Sequence, residues 1–195
     1  MFRLSRRDIL AAALAAPSSA FADTEYRGWT RAAGQDPLPL GAHVDTGAGV
    51  QTLGEWLGGR PAVLALWATW CTPCLAEKPS QLAMARRLAA DNAPARILIL
   101  QAYDNVDLAR GRAVLARLRA AELTNAAAMP DAEAAFISLL GASQVDATRT
   151  SMPWHLLIDS SGRELGRALG LMTGSDGGYS YFRDDATFDF LRSLR

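Results

Sequence analysis

Residues 61–79 read PAVLALWATWCTPCLAEKP, an apolar run followed by two cysteines that are separated by two residues. The run from Pro61 to Trp67 is wholly apolar, which is typical of a central strand covered on both faces. From Leu75 to Ala90 the composition favours a helix. The cysteines therefore lie at the junction between a predicted buried strand and a predicted helix.

The spacing of Cys71 and Cys74 predicts a reactive pair. Both sulfur atoms can share the first turn of the helix, where unpaired backbone N–H groups and the helix dipole favour a thiolate. Only a thiolate attacks a disulfide, and a second thiol must resolve the mixed disulfide that forms. We predict Cys71 as the nucleophile and Cys74 as the resolving thiol, with Pro73 stiffening the loop between them.

Two other interpretations of the cysteine pair stay open. A permanent disulfide is common in exported proteins, although a bridge across so short a loop constrains the unfolded chain little. A metal site is the second, since two soft thiolates can bind Cu(I) or share Zn(II). Both histidines, His43 and His155, are remote in sequence from the cysteines, and we therefore expect neither a metal site nor a cofactor.

The rest of the chain predicts an α/β protein with one parallel core. Strands are expected at 96–101, 154–159 and 163–169, helices at 108–122, 131–140 and 184–194, a hairpin at 43–53 and a helical turn at 52–57. Residues 141–150 look like a polar connection and 170–178 like a glycine-rich loop. Strands that alternate with helices indicate a parallel sheet.

The first 22 residues have the layout of an export signal. Arg6 and Arg7 precede the apolar run 9–16, which is shorter than a membrane-spanning helix needs. Cleavage before Asp23 is therefore favoured over a retained anchor. The paired arginines resemble a twin-arginine signal, with an ordinary Sec signal as the alternative, and either route leads out of the cytoplasm.

We predict that residues 23–195 form one domain. Half of the chain is apolar and 21% is charged, as in ordinary soluble globular proteins. Basic and acidic residues are interspersed, which argues against nucleic acid or anionic lipid as a partner. In the polar segment 23–34, Tyr26 and Trp29 are candidate anchors onto the domain.

Residues 67–79 resemble the active-site stretch of the TlpA/ResA branch of the thioredoxin superfamily. The similarity extends from about Leu38 to the C-terminus and is loose between Gln101 and Thr150. It implies a thioredoxin fold, with a central mixed sheet flanked by helices, here preceded by an N-terminal lead-in hairpin. It also implies an enzyme, a thiol-disulfide oxidoreductase.

The resemblance assigns roles to four further residues. Pro79 matches a proline in the active-site helix, and Pro153 matches a cis-proline that faces the disulfide. A cis bond there turns the backbone of Met152 toward an incoming peptide, whereas the residues alone also allow an ordinary trans proline. Glu77 matches an acidic residue that modulates the thiols, since a nearby carboxylate raises a thiol pKa. Without the resemblance, Glu77 would be taken as a solvated helix residue.

The chain departs from the family pattern at two places. Ala65 stands where the family has Asp or Asn, so no proton relay can run through that position. Glu77 and solvent remain as the candidate proton donors and acceptors. Trp154 and His155 replace the usual pair of threonines after the cis-proline. This replacement predicts a bulkier substrate groove that titrates near neutral pH.

Aromatic residues supply the remaining candidates for substrate contact. Trp70, beside the nucleophile, and Trp154 are predicted substrate contacts, as is Pro73 between the cysteines, whereas Trp67 is expected to fill the core. Tyr179, Tyr181 and Phe182 would either form a docking surface or pack the last helix, and packing is favoured.

The resemblance further implies a periplasmic protein-disulfide reductase. Its expected substrates are disulfides of apocytochrome c, in cytochrome c maturation, or of a copper chaperone or oxidase subunit, in copper-centre assembly. A membrane thiol-disulfide electron donor would regenerate the dithiol. A disulfide oxidase or isomerase and a Cu(I)-binding assembly module are the alternatives, because the cysteine spacing does not determine the direction of electron flow.

Overall fold

The computed structural model describes residues 29–31, 38–104, 107–140, 152–169 and 181–194. These residues form one eight-stranded mixed sheet flanked by helices. The strands are β1 (Thr30–Arg31), β2 (His43–Asp45), β3 (Val50–Thr52), β4 (Ala62–Trp67), β5 (Arg96–Gln101), β6 (Thr124–Ala128), β7 (Trp154–Ile158) and β8 (Glu164–Leu169). The helices are α1 (Leu53–Leu57), α2 (Thr72–Ala90), α3 (Leu108–Arg117), α4 (Pro130–Leu140) and α5 (Asp185–Ser193).

The predicted buried strand, β4, occupies the centre of the sheet, whose order is β1-β8-β7-β4-β5-β6-β2-β3. It pairs in parallel with β5 and antiparallel with β7. All six of its residues are buried, because other elements cover both faces. The predicted parallel core is confirmed, and antiparallel strands on both sides of it make the sheet mixed.

The predicted helix 108–122 is too long, and the strand that follows it was not predicted. Helix α3 ends at Arg117, and Arg119 takes a positive φ of 55° that ends helical geometry. The next element, β6, is rich in alanine, a residue that favours helices over strands. Its backbone nevertheless pairs with β5 and β2, so tertiary pairing overrides the local preference.

The lead-in hairpin is confirmed as β2 and β3, which pair antiparallel at one end of the sheet. Thr52 begins α1 with a capping box, in which its side chain accepts from the Glu55 backbone and Glu55 accepts from the Thr52 backbone. Gly58 ends the helix in the left-handed region, at φ 60°. The short helical turn between the hairpin and β4 was therefore predicted correctly.

The N-terminal anchor and the 3₁₀ helix Tyr181–Arg183, which precedes α5, meet in one aromatic cluster. Trp29 is buried, and its indole Nε1–H donates to the hydroxyl of Tyr181 at 2.5 Å. Phe182 packs edge-on against Tyr181, with ring centroids 5.1 Å apart. Tyr181 and Phe182 therefore pack the core and are not a docking surface, as the favoured interpretation predicts.

Several predictions from the sequence lie outside the described residues. These are the signal peptide at 1–22 with its cleavage site, Tyr26, Tyr179, the connection at 141–150 and the loop at 170–178. Within the described ranges, no helix is both long and apolar enough to cross a membrane.

Candidate active site

The two cysteines lie where β4 leads into α2. Cys71 is the N-cap of α2, and its Sγ accepts the backbone N–H of Cys74 at 3.2 Å. Pro73 lies in the first turn, where it displaces no helical hydrogen bond. Cys71 and Cys74 form a disulfide, so the structure shows the oxidised state. The predicted position of both sulfur atoms in the first turn is confirmed.

The two cysteines differ in exposure. Cys71 keeps 3% of its surface accessible, whereas Cys74 keeps none. Trp70 immediately precedes the outer cysteine and is 48% exposed. This order of burial is the one required of an attacking thiol followed by a resolving thiol, and the two roles stay predictions.

The peptide bond between Met152 and Pro153 is cis, as the resemblance implies. Both residues are buried and lead directly into β7. In the antiparallel pairing of β7 with β4, Trp154 lies opposite Leu66. The cis-proline therefore lies beside the end of β4 from which the cysteine loop begins. Trp154 is half-buried against the core, and substrate contact by Met152, Pro153 or Trp154 stays a prediction.

Trp70 is held in place by the segment that follows β5. Its indole Nε1–H donates to the backbone carbonyl of Tyr103 at 2.9 Å. The backbone N–H of Tyr103 in turn donates to Glu133 of α4. Burial, together with the carboxylate of Glu133, raises the pKa of Tyr103 to about 12. The backbone carbonyl of Tyr103 thus orients the exposed indole, and the side chain of Tyr103 stays a neutral phenol near neutral pH.

Asp104 holds the loop that carries the cysteines. Its carboxylate accepts the backbone N–H of Thr69 at 2.9 Å and the side-chain amide of Gln101 at 3.1 Å. Sequence reasoning missed Asp104 and Tyr103. The available signal was their position after β5, because the carboxyl ends of neighbouring parallel strands meet at one edge of a sheet.

Glu77 is buried rather than solvated. Its Oε2 lies 2.9 Å from Nε2 of His155 and 3.3 Å from Nε2 of Gln81. Glu77 follows Cys74 by three residues, a spacing that places both side chains on one face of α2. The alternative interpretation, in which Glu77 is a solvent-exposed helix residue, is therefore wrong.

The prediction that His155 lines a bulkier substrate groove is wrong. His155 is fully buried on β7 and packs against Phe182, with ring centroids 5.7 Å apart. Its cross-strand neighbour on β4 is Ala65. Ala65, where the TlpA/ResA pattern has Asp or Asn, thus lies directly beside the imidazole of His155. The sequence had suggested a position for this imidazole in a surface groove.

The described residues contain no cluster of three or more His, Cys, Asp or Glu side chains arranged to hold a metal ion. The chemistry that this arrangement supports is thiol–disulfide exchange. An oxidised cysteine pair lies at a helix N-terminus, with 3% of Cys71 and none of Cys74 accessible to solvent.

Solved structures of thiol-disulfide proteins are similar to this chain. A thiol:disulfide interchange protein from Bacteroides sp. matches with a TM-score of 0.58 at 10% identity, covering 82% of this chain and 91% of the other. A thiol:disulfide interchange protein, described as a thioredoxin family protein, from Chlorobium tepidum matches with a TM-score of 0.53 at 20% identity, over 83% and 100% of the two chains. The chain has a thioredoxin fold.

A secreted thiol-disulfide isomerase from Corynebacterium glutamicum also shares the thioredoxin fold, with a TM-score of 0.53 at 18% identity over 79% of this chain and 89% of the other. No family model matches the sequence, and no curated protein does. At such low identities the likeness establishes the thioredoxin fold, and the activity has to be argued from the site itself.

Lys78 is an unexpected buried cation beside this site in the thioredoxin fold. Its Nζ lies 5.1 Å from the centre of the Trp67 ring and donates to Gln81 Oε1 at 2.9 Å. Burial lowers the pKa of Lys78 to about 7, against a smaller opposing effect of the Glu77 carboxylate. Sequence reasoning missed Lys78, because a lysine on a helix is ordinarily exposed.

The free energy of unfolding is expected to rise with pH between pH 7 and 10.5 because of Lys78. In this window the unfolded chain binds a proton at Lys78 that the folded protein has already released, so raising the pH favours the folded state. The slope attributable to Lys78 is at most about 1.4 kcal/mol per pH unit. Below pH 7 both states hold the proton, and the contribution becomes constant.

Urea denaturation at several pH values measures this slope, with a Lys78→Met variant as the control. The difference in unfolding free energy between the wild type and the variant isolates Lys78. The series should stop below pH 10, where ionisation of Tyr103 in the unfolded chain begins to act in the opposite direction. A difference that does not vary with pH would contradict the lowered pKa of Lys78.

Proposed function

We propose that this chain is an exported protein-disulfide reductase that acts in the periplasm. The observation that carries the proposal is the Cys71–Cys74 disulfide at the start of α2, where Cys71 adjoins the exposed Trp70 and keeps 3% of its surface accessible, whereas Cys74 keeps none. A purely structural bridge across three residues would stabilise the fold little.

In the proposed cycle the Cys71 thiolate attacks a disulfide of the partner protein and displaces one partner thiolate. The Cys74 thiolate then attacks Cys71 Sγ, breaks the mixed disulfide and releases the second partner thiolate. The partner gains two electrons and two protons, and the pair becomes the disulfide seen here. A membrane thiol-disulfide donor reduces it again.

Glu77 supports the reducing direction. Strong oxidants of this chemistry owe their potential to a stabilised thiolate in the reduced form. Here a buried carboxylate lies one turn from Cys74 and disfavours a negative sulfur. Lys78, whose ammonium donates to Gln81 beside Glu77, has a lowered pKa. Its positive charge is therefore only partly present near neutral pH and offsets only part of the repulsion between the Glu77 carboxylate and a Cys74 thiolate.

The finer assignments rest on the resemblance of residues 67–79 to the TlpA/ResA branch. They are a role in cytochrome c maturation or copper-centre assembly, and apocytochrome c, a copper chaperone or an oxidase subunit as the partner. Export is supported by the layout of residues 1–22. The description of the similar Corynebacterium glutamicum protein as secreted agrees with export.

Trapping in the periplasm tests the proposal. A Cys74→Ala variant should accumulate mixed disulfides between Cys71 and the natural partner, because the resolving thiol is missing. A Cys71→Ala/Cys74→Ala double variant is the matched control and should trap nothing. Identification of the adducts by mass spectrometry reports the partner, and the absence of periplasmic adducts would overturn the proposal.

The reduction potential separates the proposed reductase from an oxidase or isomerase. A value near roughly −250 mV or lower, measured against glutathione, supports a reductase, and one near roughly −120 mV rejects it. Retention of Cu(I) by the reduced protein without any insulin-reducing activity would instead identify a copper-binding module.

A further inference from the structure

A chain of four buried polar side chains joins α2 to β7. Lys78 donates to Gln81, Gln81 donates to Glu77, and the imidazole of His155 shares a hydrogen bond with the same Glu77 oxygen. None of the four exposes more than 4% of its surface. Buried ionisable groups are costly compared with apolar side chains, and they concentrate at functional sites.

This network lies on the interior side of the disulfide. Glu77, Lys78 and Gln81 follow Cys74 by three, four and seven residues, which places all of them on one face of α2. His155 follows the cis-proline by two residues and faces the same interior from the neighbouring strand. The network therefore lies between the helix that carries the cysteines and the strand that begins at the cis-proline.

The hydrogen bond between Glu77 and His155 holds in two protonation states. Either the Glu77 carboxylate accepts from Nε2–H of His155, or a protonated Glu77 carboxyl donates to Nε2. The other ring nitrogen of His155, Nδ1, is buried and has no hydrogen-bond partner in the part of the chain that the structure describes. The pair can therefore gain or lose one proton and stay hydrogen-bonded.

Among the described residues, Glu77 is the ionisable group hydrogen-bonded to His155. Helix α2 contributes Glu77 and, through Gln81, Lys78. The neighbouring strands contribute Ala65 and Ala168, and the 3₁₀ helix Tyr181–Arg183 contributes the ring of Phe182, against which the buried phenol ring of Tyr181 packs. The thiols of the reduced cysteine pair lie on the same side of α2.

We propose that His155 is a positioning residue that holds Glu77 beside Cys74, and that the Glu77–His155 pair exchanges one proton with Cys74 during the redox cycle. The inference rests on the disulfide chemistry proposed above and assigns His155 a part in it. It also explains why a buried imidazole occupies the space beside Ala65.

The proton moves in both half-reactions. During regeneration, a donor thiolate attacks Cys71 Sγ, the S–S bond breaks, and its electron pair goes to Cys74 Sγ, which takes a proton from the pair. A second donor thiolate then attacks the donor sulfur of this mixed disulfide, closes the donor's own disulfide and releases Cys71 as a thiolate. During substrate reduction, the pair takes the proton back from the Cys74 thiol, and the resulting thiolate displaces the substrate sulfur from Cys71. Each displaced substrate thiolate takes its proton from solvent.

The test uses two substitutions of His155 and a matched control. His155→Gln keeps an N–H donor for Glu77 but binds no proton, and His155→Leu removes both properties. His43→Gln alters the other histidine of the chain, whose Nδ1 lies 2.8 Å from Asp131 at an exposed site. The rate at which dithiothreitol opens the disulfide is followed by tryptophan fluorescence across a pH series. Each rate is divided by the concentration of dithiothreitol thiolate, and urea denaturation reports whether each variant is folded.

The wild-type profile of normalised rate against pH is the reference for the variants. His155→Gln should remain folded, yet show a rate about a hundredfold lower at neutral pH, the low end of what general acid–base catalysis contributes, and an altered pH profile. His155→Leu should show the same loss of rate, and His43→Gln should match the wild type.

A His155→Gln profile that coincides with the wild-type profile would overturn the inference, whatever His155→Leu does, because His155 would then act only as a hydrogen-bond donor or as core filling. Failure of the proposed function looks different. In that case the wild-type protein itself would not reduce insulin disulfides, although dithiothreitol could still open its own disulfide at a measurable rate.

Discussion

Replacing Cys71 with serine is expected to reduce insulin-disulfide reduction to the rate of the small-molecule reductant alone. A serine hydroxyl at the start of α2 does not ionise near neutral pH, so no nucleophile attacks the substrate disulfide. Loss of the nucleophile should cost about three orders of magnitude or more. Insulin turbidity with dithiothreitol as the reductant measures the effect.

The matched variant Cys74→Ser separates the two cysteines. It should attack once and then stall as a mixed disulfide, which intact-protein mass spectrometry detects, whereas Cys71→Ser should form no adduct. Retained turnover by Cys71→Ser would refute the assignment of the nucleophile. So would faster alkylation of Cys74 than of Cys71 in the reduced wild-type protein.

Replacing Trp67 with alanine should destabilise the protein by about 3–5 kcal/mol. The indole of Trp67 is fully buried, its Nε1–H donates to Asn125 Oδ1 at 3.0 Å, and the ammonium of Lys78 lies over its ring. Its removal leaves a cavity and takes the donor away from the amide oxygen of the partly buried Asn125. The midpoint and slope of urea denaturation give the change in unfolding free energy.

Trp70, three residues further along, is the natural comparison because about half of its surface is exposed. Trp70→Ala should change the free energy of unfolding by less than about 1 kcal/mol. It should instead raise KM for a protein substrate, with little change in the rate of disulfide opening by dithiothreitol. Equal losses of stability in the two variants would contradict the division of the two indoles into core and surface.

The central strand and the cysteine junction could be predicted from the sequence, because each depends on local chemistry. Continuous apolar residues from Pro61 to Trp67 require burial on both faces, and that burial places the strand in the middle of the sheet. Strand β6 could not be predicted in this way. Its alanines have no strand preference of their own, and only pairing with two neighbours makes it a strand.

The same distinction between local and long-range determinants applies to the candidate site. Cys71, Cys74 and the cis-proline lie in a recognisable stretch or at a recognisable position, and the structure brings them to one edge of the sheet. The buried positions of Lys78 and His155 depend on residues distant in sequence. A lysine at the surface and a lysine under an indole look the same in a sequence, and so do a histidine in a groove and one in the interior.

Both ends of the eight-stranded sheet are very short, since β1 has two residues and β3 has three. Long, flat outer strands offer unpaired backbone groups on which other chains can assemble into aggregates. In the part of the sheet that the structure describes, such short end strands offer another extended chain few backbone groups to pair with, which is expected to limit association along the sides of the sheet.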